Sequence, residues 1–395
     1  MVADTDVHFE SLRWESARSI LPKGPTGCAL VIPIPVGGSF FDPRGDRTRI
    51  MRILLIGETS DDSFAGHISE TLVAMGHTAQ TFTPWRFGES FDVVPGVRKY
   101  RRFAIQSASH FTRGRKWILR NLWRQIERMK PDLVLCCYDY LLPREVDQVR
   151  ATSGAKIVMW YPDSLANFGR ACFMASRYDA LFFKDPFVVR ALKGALDSPV
   201  HYLPECFNPR RLNPPAHDDV PPQWRSEIAT VGNLHPWRMA LLKKLEPHSV
   251  RIWGPPPSRW LPQSLYEKKY QGHPVLNHEK CLAFRGAKIV LNNLHYSEIE
   301  GLNCRCFEAA GAGAFQLLDW RPTLPQLFRE GREVVSFRSP DEMVEKVRFW
   351  LPREDERREI GDAARRRALA EHTFEHRLSR LLNILEGSES GDDVP

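Results

Sequence analysis

No apolar run in this chain approaches the ~20 residues that a membrane-crossing helix needs, so a membrane-spanning protein is not expected. Cysteine is sparse and unpatterned. The eight cysteines (Cys28, Cys136, Cys137, Cys172, Cys206, Cys281, Cys304, Cys306) form no Cys-x-x-Cys pair and no zinc-like Cys/His spacing. That argues against a disulfide framework or a structural metal and favours a reducing, cytoplasmic setting. No self-similarity of solenoid length is present. The loop GETSDDSFAGH (57–67) lacks the Gly-Lys-Ser/Thr of a P-loop, which removes that route to phosphate binding.

What is present is ordinary for a globular chain of two domains. Its 395 residues exceed one usual core, and 43% are hydrophobic against 26% charged. A formal charge of +7 attracts anions and says no more than that. Residues 1–50 carry Pro22, Pro25, Pro33, Pro35 and Pro43 without periodicity, and read as an irregular extension rather than a secretory signal. From Met51 the pattern becomes strand, helix, strand. RILLIG (52–57), DLVLCCY (132–138), AKIVMWY (155–161) and ALFF (180–183) are short apolar runs suited to buried parallel strands. HISETLVAMGH reads as a helix that stops at Gly76. The five prolines of 209–225 mark a linker. A second series follows, with strands at EIATVGN, SVRIWGP, AKIVLNN, AFQLLDW and EVVSF, and helices at EMVEKVRFWL and over 357–385. The predicted organisation is an extension (1–50), an N-terminal Rossmann-like domain (51–208), a linker (209–225), a C-terminal Rossmann-like domain (226–365), a C-terminal helix (366–385) and a disordered tail (386–395). Two α/β sheets facing across a cleft place ligands at the carboxyl ends of their strands.

The stretch EGLNCRCFE puts two carboxylates, Glu300 and Glu308, eight residues apart, with Ala309, Ala310, Gly311, Ala312 and Gly313 behind them. Small residues there let a helix approach its sheet closely. The segment from AKIVLNNLHYSEIEGLNCRCFEAAGAGAFQLLDW through LPQLFREGREVVSFRSPDEMVEKVRFWL to the last helix resembles the C-terminal half of group-1 glycosyltransferases of GT-B fold. The likeness is nearest to the spore-maturation-protein-like subset. It extends over about 150 residues, from ATVGN to the final helix.

The resemblance implies a hexosyltransferase-like enzyme that takes a sugar from a nucleoside diphosphate donor, retains its anomeric configuration and uses no cofactor or metal. It also implies that the C-terminal helix returns to the N-terminal domain. In the family's Glu-x7-Glu motif the first glutamate lies beside the donor sugar and the second holds the ribose, which assigns those roles to Glu300 and Glu308. One carboxylate can accept from both vicinal ribose hydroxyls, and the turn between the glutamates (Gly301, Leu302, Asn303) can offer backbone N–H groups to a diphosphate. Gly301-Leu302 stands where the commoner pattern has Phe-Gly. The family's Arg and Lys, five or six residues apart, match Arg238 with Lys243 or Lys244 in TVGNLHPWRMALLKKL, just after Gly232. Fixed cations there stabilise a departing phosphate. Arg305 is a third candidate cation, and could equally pair with a carboxylate.

The N-terminal half offers Asp139 and Asp163, each at the expected end of a strand, to orient or deprotonate an acceptor hydroxyl; strand-end aspartates also cap helices. Residues 97–130 hold eleven Lys or Arg against the single acid Glu127, with Phe111, Trp117 and Trp123 interleaved. Such a segment can lie on the anionic inner face of a membrane, or it can be a solvated helix whose aromatics face the core. The expected partners are a nucleotide sugar and a sugar or lipid-linked acceptor; nucleic acid is not expected. Rival readings are a sugar-nucleotide epimerase of the same fold and a non-enzymatic binder of RNA or another anionic polymer.

Overall fold

The computed structural model describes residues 50–84, 111–169, 171–246 and 248–389. The expectations for residues 1–49, for the first part of the basic segment and for residues 390–395 lie outside them. Six strands build the first sheet: β1 (Arg52–Ile56), β2 (Thr78–Phe82), β3 (Leu133–Cys137), β4 (Lys156–Tyr161), β5 (Ala180–Phe183) and β6 (Val200–Tyr202). All pair in parallel, in the order β2-β1-β3-β4-β5-β6. Helices α1 (Phe64–Ala74), α2 (Thr112–Met129), α3 (Pro143–Ser153) and α4 (Pro186–Leu192) connect them. The inner strands β3, β4 and β5 are covered on both faces, which is why they are continuous apolar runs. The edge strands β2 and β6 read as no such run, and β2, TAQTF, is half exposed along its length.

The second sheet holds β7 (Ser226–Val231), β8 (Val250–Trp253), β9 (Ala287–Asn292), β10 (Gln316–Asp319) and β11 (Val335–Phe337), again parallel, in the order β11-β10-β9-β7-β8. Its helices are α5 (Pro236–Lys243), α6 (Asn277–Arg285), α7 (Cys304–Gly311), the single turn α8 (Leu324–Leu327) and α9 (Pro340–Trp350). Strand order reverses beside β1 in the first sheet and beside β7 in the second. The loops leaving those strands therefore open onto the crevices where α/β sheets take ligands.

The pattern over 357–385 is two helices, α10 (Glu354–Glu371) and α11 (Phe374–Glu386), not one. The break is pinned at its centre: the Phe207 N–H donates to the His372 carbonyl and the Phe374 N–H to the Phe207 carbonyl, both at 3.1 Å. Thr373 then caps α11 by accepting from the His376 N–H. α10 packs Ala364 and Ala368 into the second domain's core beside Phe307. α11 crosses to the first domain and buries Phe374, Leu378, Leu381 and Leu382 against Ile53, Leu55 and Trp160. Each such side chain contributes about 1.5–3 kcal/mol when fully buried. Between the sheets, Leu212 and Val220 are buried in the proline-rich 209–225 stretch, so it is packed against the body of the protein.

Candidate active site between the two sheets

At the end of β7 the chain turns through Gly232, whose φ is +118°. Only glycine takes that conformation freely, and the space where a Cβ would stand is filled by the Arg305 guanidinium. Arg238, in the first turn of α5, is buried beside it. Its Nε donates to Asn293 Oδ1 (2.7 Å), its Nη1 to the Asn233 carbonyl (2.7 Å) and its Nη2 to the Asn293 carbonyl (3.2 Å). No carboxylate among the described residues bonds to it. Burial, and then the charge of Arg305, pull its pKa down to about 9, with Asp319 opposing. His235, the N-cap of α5, is driven to about 3 by burial and then by Arg238, His295 and Arg305. It is thus neutral and free to accept from the Arg238 N–H (3.3 Å). Arg305 is half buried and forms no hydrogen bond or ion pair with any described residue. Two guanidinium groups with no carboxylate bonded to either among the described residues, at the switch point of a parallel sheet, are chemically suited to receive an anion.

Arg305 lies in the first turn of α7, where the Cys304 and Arg305 N–H groups have no intrahelical acceptor. The turn before it is less open than its sequence suggests. The Ile299, Glu300 and Gly301 N–H groups all donate to Asp185 Oδ2, at 3.0, 3.1 and 3.2 Å. Asp185 belongs to the first domain, so these amides join the two domains and are not available to a diphosphate. Gly301 permits the contact, since a Cβ there would meet the Lys184 carbonyl at 2.7 Å. The side chains of the next two residues of the turn have structural roles. Leu302 is buried in the core with Phe307. Asn303 is the N-cap of α7, its Oδ1 accepting from the Cys306 N–H (3.2 Å) and its side chain paired with Asn292.

The two glutamates occupy different surroundings. Glu300 stands at the domain junction, its carboxylate paired with Arg190 and its carbonyl accepting from Thr323 Oγ1. Glu308, one turn into α7, accepts from Lys280 Nζ at 2.7 Å. The same Lys280 Nζ donates to Asp62 Oδ2 (2.5 Å) in the loop after β1.

On the first domain, Asp139 follows β3 and a strained Tyr138 (φ +99°). Its Oδ2 accepts from the Cys172 N–H (2.6 Å), while Oδ1 is buried with no hydrogen-bond partner among the described residues. Burial raises its pKa to about 6 against the opposing amides and Arg115. Asp163, after β4, accepts from the Ser164 N–H (2.8 Å), and Ser164 Oγ in turn accepts from Ser297 of the second domain (2.9 Å). Beyond β5, the buried Lys184 Nζ meets Glu298 Oε1 at 2.8 Å across the domain boundary. Beyond β6, the Glu205 carboxyl is buried and has no hydrogen bond or ion pair among the described residues. Lys184, Glu205, Glu298 and Lys280 escaped the sequence reading: Glu298 lies just outside the Glu-x7-Glu spacing and the others in stretches with no motif, and the ion pairs Lys184–Glu298 and Lys280–Asp62 join positions distant in the chain.

Lys243 and Lys244 are exposed, and Lys244 pairs with Asp341 (3.0 Å). Neither bonds within the group around Arg238, because five or six residues along a helix is a different face. Of the basic segment, α2 shows Arg113, Lys116, Arg120, Arg124 and Arg128 on its exposed side and buries Ile118, Leu119, Leu122 and Ile126. Arg115 points inward to Glu145 and the Tyr140 carbonyl. No helix among the described residues is long and apolar enough to cross a membrane.

Residues 236–383 match a protein-family profile described as glycosyl transferase-like. Curated protein sequences offer no match. Among solved structures, sucrose-phosphate synthase from Thermosynechococcus elongatus is similar over 86% of this chain and 100% of its own, with a TM-score of 0.62 at 14% identity. HepE from Anabaena, solved in complex with UDP-glucose, is similar over 85% of this chain and 100% of its own (TM-score 0.56, 11% identity). AviGT4, a glycosyltransferase involved in avilamycin A biosynthesis, covers 85% and 98% (TM-score 0.54, 16% identity). These likenesses show the fold: two Rossmann-like domains in the GT-B arrangement.

Proposed function

We propose, for a chain that is a glycosyltransferase of GT-B architecture, that it moves a sugar from a uridine diphosphate donor to a hydroxyl of a sugar or lipid-linked acceptor. The observation that carries this reading is the pair Arg238 and Arg305 at the switch point of the second sheet, neither bonded to a carboxylate among the described residues. The diphosphate lies against these two guanidinium groups and the free N–H groups at the start of α7. Developing charge on the leaving phosphate is stabilised there by groups already in place, which is where such sites gain most of their rate. The choice of uridine is supported by HepE, solved with UDP-glucose.

In this reading Glu308 accepts from the ribose hydroxyls, and Glu300 stands beside the donor sugar. Asp163 orients the acceptor hydroxyl from the facing domain. The leaving phosphate itself takes the acceptor proton, and the anomeric configuration is retained. The two arginines supply the cationic charge, so turnover proceeds without an added divalent ion. Incubation of the protein with UDP-sugars, with and without a panel of glycan and lipid-linked acceptors and with EDTA, tests the reading. The expected outcome is acceptor-dependent release of UDP that survives EDTA and is lost in Arg305→Ala. An isomerised nucleotide sugar formed without acceptor would favour the epimerase reading. Salt-sensitive polymer binding that is indifferent to Glu308, with no turnover, would favour the binder.

A further inference from the structure

The group that Glu308 depends on is not confined to its own domain. Lys280, in the first turn of α6, is buried and bonds two carboxylates at once, Glu308 at 2.7 Å and Asp62 at 2.5 Å. Asp62 belongs to the other domain and lies 218 residues away. It is itself held at φ +66°, in the left-handed region that a non-glycine residue enters at a cost. His67 Nε2 lies 3.3 Å from its Oδ1, and the His67 ring is stacked on Phe374 of α11 (centroids 5.3 Å apart). Asn208 closes the set against His67 Nδ1 and Glu70. Burial disfavours the Lys280 charge, but Glu308 and Asp62 outweigh it and raise its pKa.

We propose that Lys280 is a positioning residue that couples nucleotide binding at Glu308 to the seating of the Asp62 loop, so that the ribose site is complete only when the two domains are closed. This rests on the reading of Glu308 as the ribose ligand. A lysine shared with Asp62 leaves Glu308 the stronger acceptor for ribose hydroxyls. When Asp62 withdraws, Lys280 pairs with Glu308 alone and competes with those hydroxyls. By linkage, whatever the closed contact adds to nucleotide affinity, the nucleotide returns as stabilisation of the closed arrangement. Asp62 touches no nucleotide in this scheme, and acts only through Lys280.

The test is calorimetry with UDP on wild type, Asp62→Asn, Lys280→Met, Lys280→Arg, Glu308→Ala and the double variant Asp62→Asn/Glu308→Ala, with scattering measurements of the radius of gyration with and without UDP. The expected result is a loss of affinity of about five- to tenfold, the lower range of site-to-site coupling, both in Asp62→Asn, where Lys280 pairs with Glu308 alone, and in Lys280→Met, where Glu308 loses the cation that holds it in place and is left facing Asp62. Lys280→Arg recovers most of it. The double variant binds no more weakly than Glu308→Ala, and UDP compacts the wild type but not Asp62→Asn. A clasp that only holds the domains together would lower the melting temperature and leave UDP affinity unchanged in both single variants, and that result overturns the proposal. If Lys280→Met does not fold, the near-isosteric Asp62→Asn decides alone. Wild-type affinity in Glu308→Ala would sink the ribose assignment and the coupling with it. A weakened Glu308→Ala beside unchanged Asp62→Asn would sink the coupling only.

Discussion

Arg305 lays its guanidinium across the backbone of Gly232, in the space a side chain at that position would fill. The contact makes two predictions of one cause. Gly232→Ala forces an unfavourable φ and displaces Arg305, so UDP affinity falls about as far as in Arg305→Ala. Loss of a hydrogen bond to a charged group is worth about 1.5–3 kcal/mol, or roughly ten- to hundredfold in affinity. Calorimetry on both folded variants checks it; wild-type affinity in Gly232→Ala would show that Arg305 is not the group the diphosphate meets.

Glu300 and Glu308 separate in their effects. Glu308→Ala weakens UDP binding by about ten- to hundredfold, on the same hydrogen-bond estimate. Glu300→Gln leaves UDP affinity close to wild type and lowers kcat, as its proposed place beside the donor sugar requires. Equal UDP affinity in wild type and Glu308→Ala would return both residues to the role of domain-junction charges.

The Lys184–Glu298 pair is buried on both sides. Burial disfavours the Lys184 charge, but Glu298 and the further carboxylates Glu205 and Asp163 more than restore it. Removing one partner leaves a buried charge uncompensated, a loss of about 3–5 kcal/mol. Lys184→Met is thus expected to lower the denaturation midpoint well beyond the exposed control Lys244→Met, whose pairing is worth about 0–1 kcal/mol. Equal midpoints in chemical denaturation would show that the pair is hydrated in solution.

Glu205 introduces a pH dependence. Burial pushes its pKa up to about 8, with Lys184 opposing and Glu298, Asp163 and Glu308 adding to the rise. The folded value lies above the unfolded one of about 4.3, so the folded chain holds a proton that the unfolded chain has already lost. Its stabilising contribution is complete below about pH 4.3 and is lost as pH rises through about 8. Glu205→Gln cannot ionise. The melting temperature of the variant relative to wild type should therefore climb between pH 5 and 9, and a constant difference across that range would refute the assignment.

The exposed cations of α2 are the candidates for contact with an anionic surface, and Arg115, bonded to Glu145, is not among them. Reversal of Arg113, Lys116 and Arg120 to Glu is expected to reduce partitioning onto vesicles containing anionic lipid by about tenfold or more, at roughly 1 kcal/mol per cation, while UDP affinity is kept. Partitioning equal to wild type would favour a solvated face.

Much of the architecture is legible in the chain because burial on both faces of a parallel strand demands an unbroken apolar run. RILLI, LVLCC and KIVMWY announce themselves in that way, whereas the edge strands TAQTF and VHY do not, since an edge needs no such run. The Glu300/Glu308 spacing is legible for a related reason: both belong to one loop and the helix it enters, so their geometry is set locally. The partners of that motif are decided elsewhere. Arg238 was visible as a cation, but Arg305 rather than a lysine stands beside it, because helix pitch turns Lys243 and Lys244 to another face. Asp185 takes the Gly301 amide that the turn seemed to offer, with those of Ile299 and Glu300, and Asp62 shares Lys280 with Glu308. The Asp185 and Asp62 contacts join residues more than a hundred positions apart across two domains. Local propensity and periodicity carry no information about how two sheets dock, so only the packing of one domain on the other determines them.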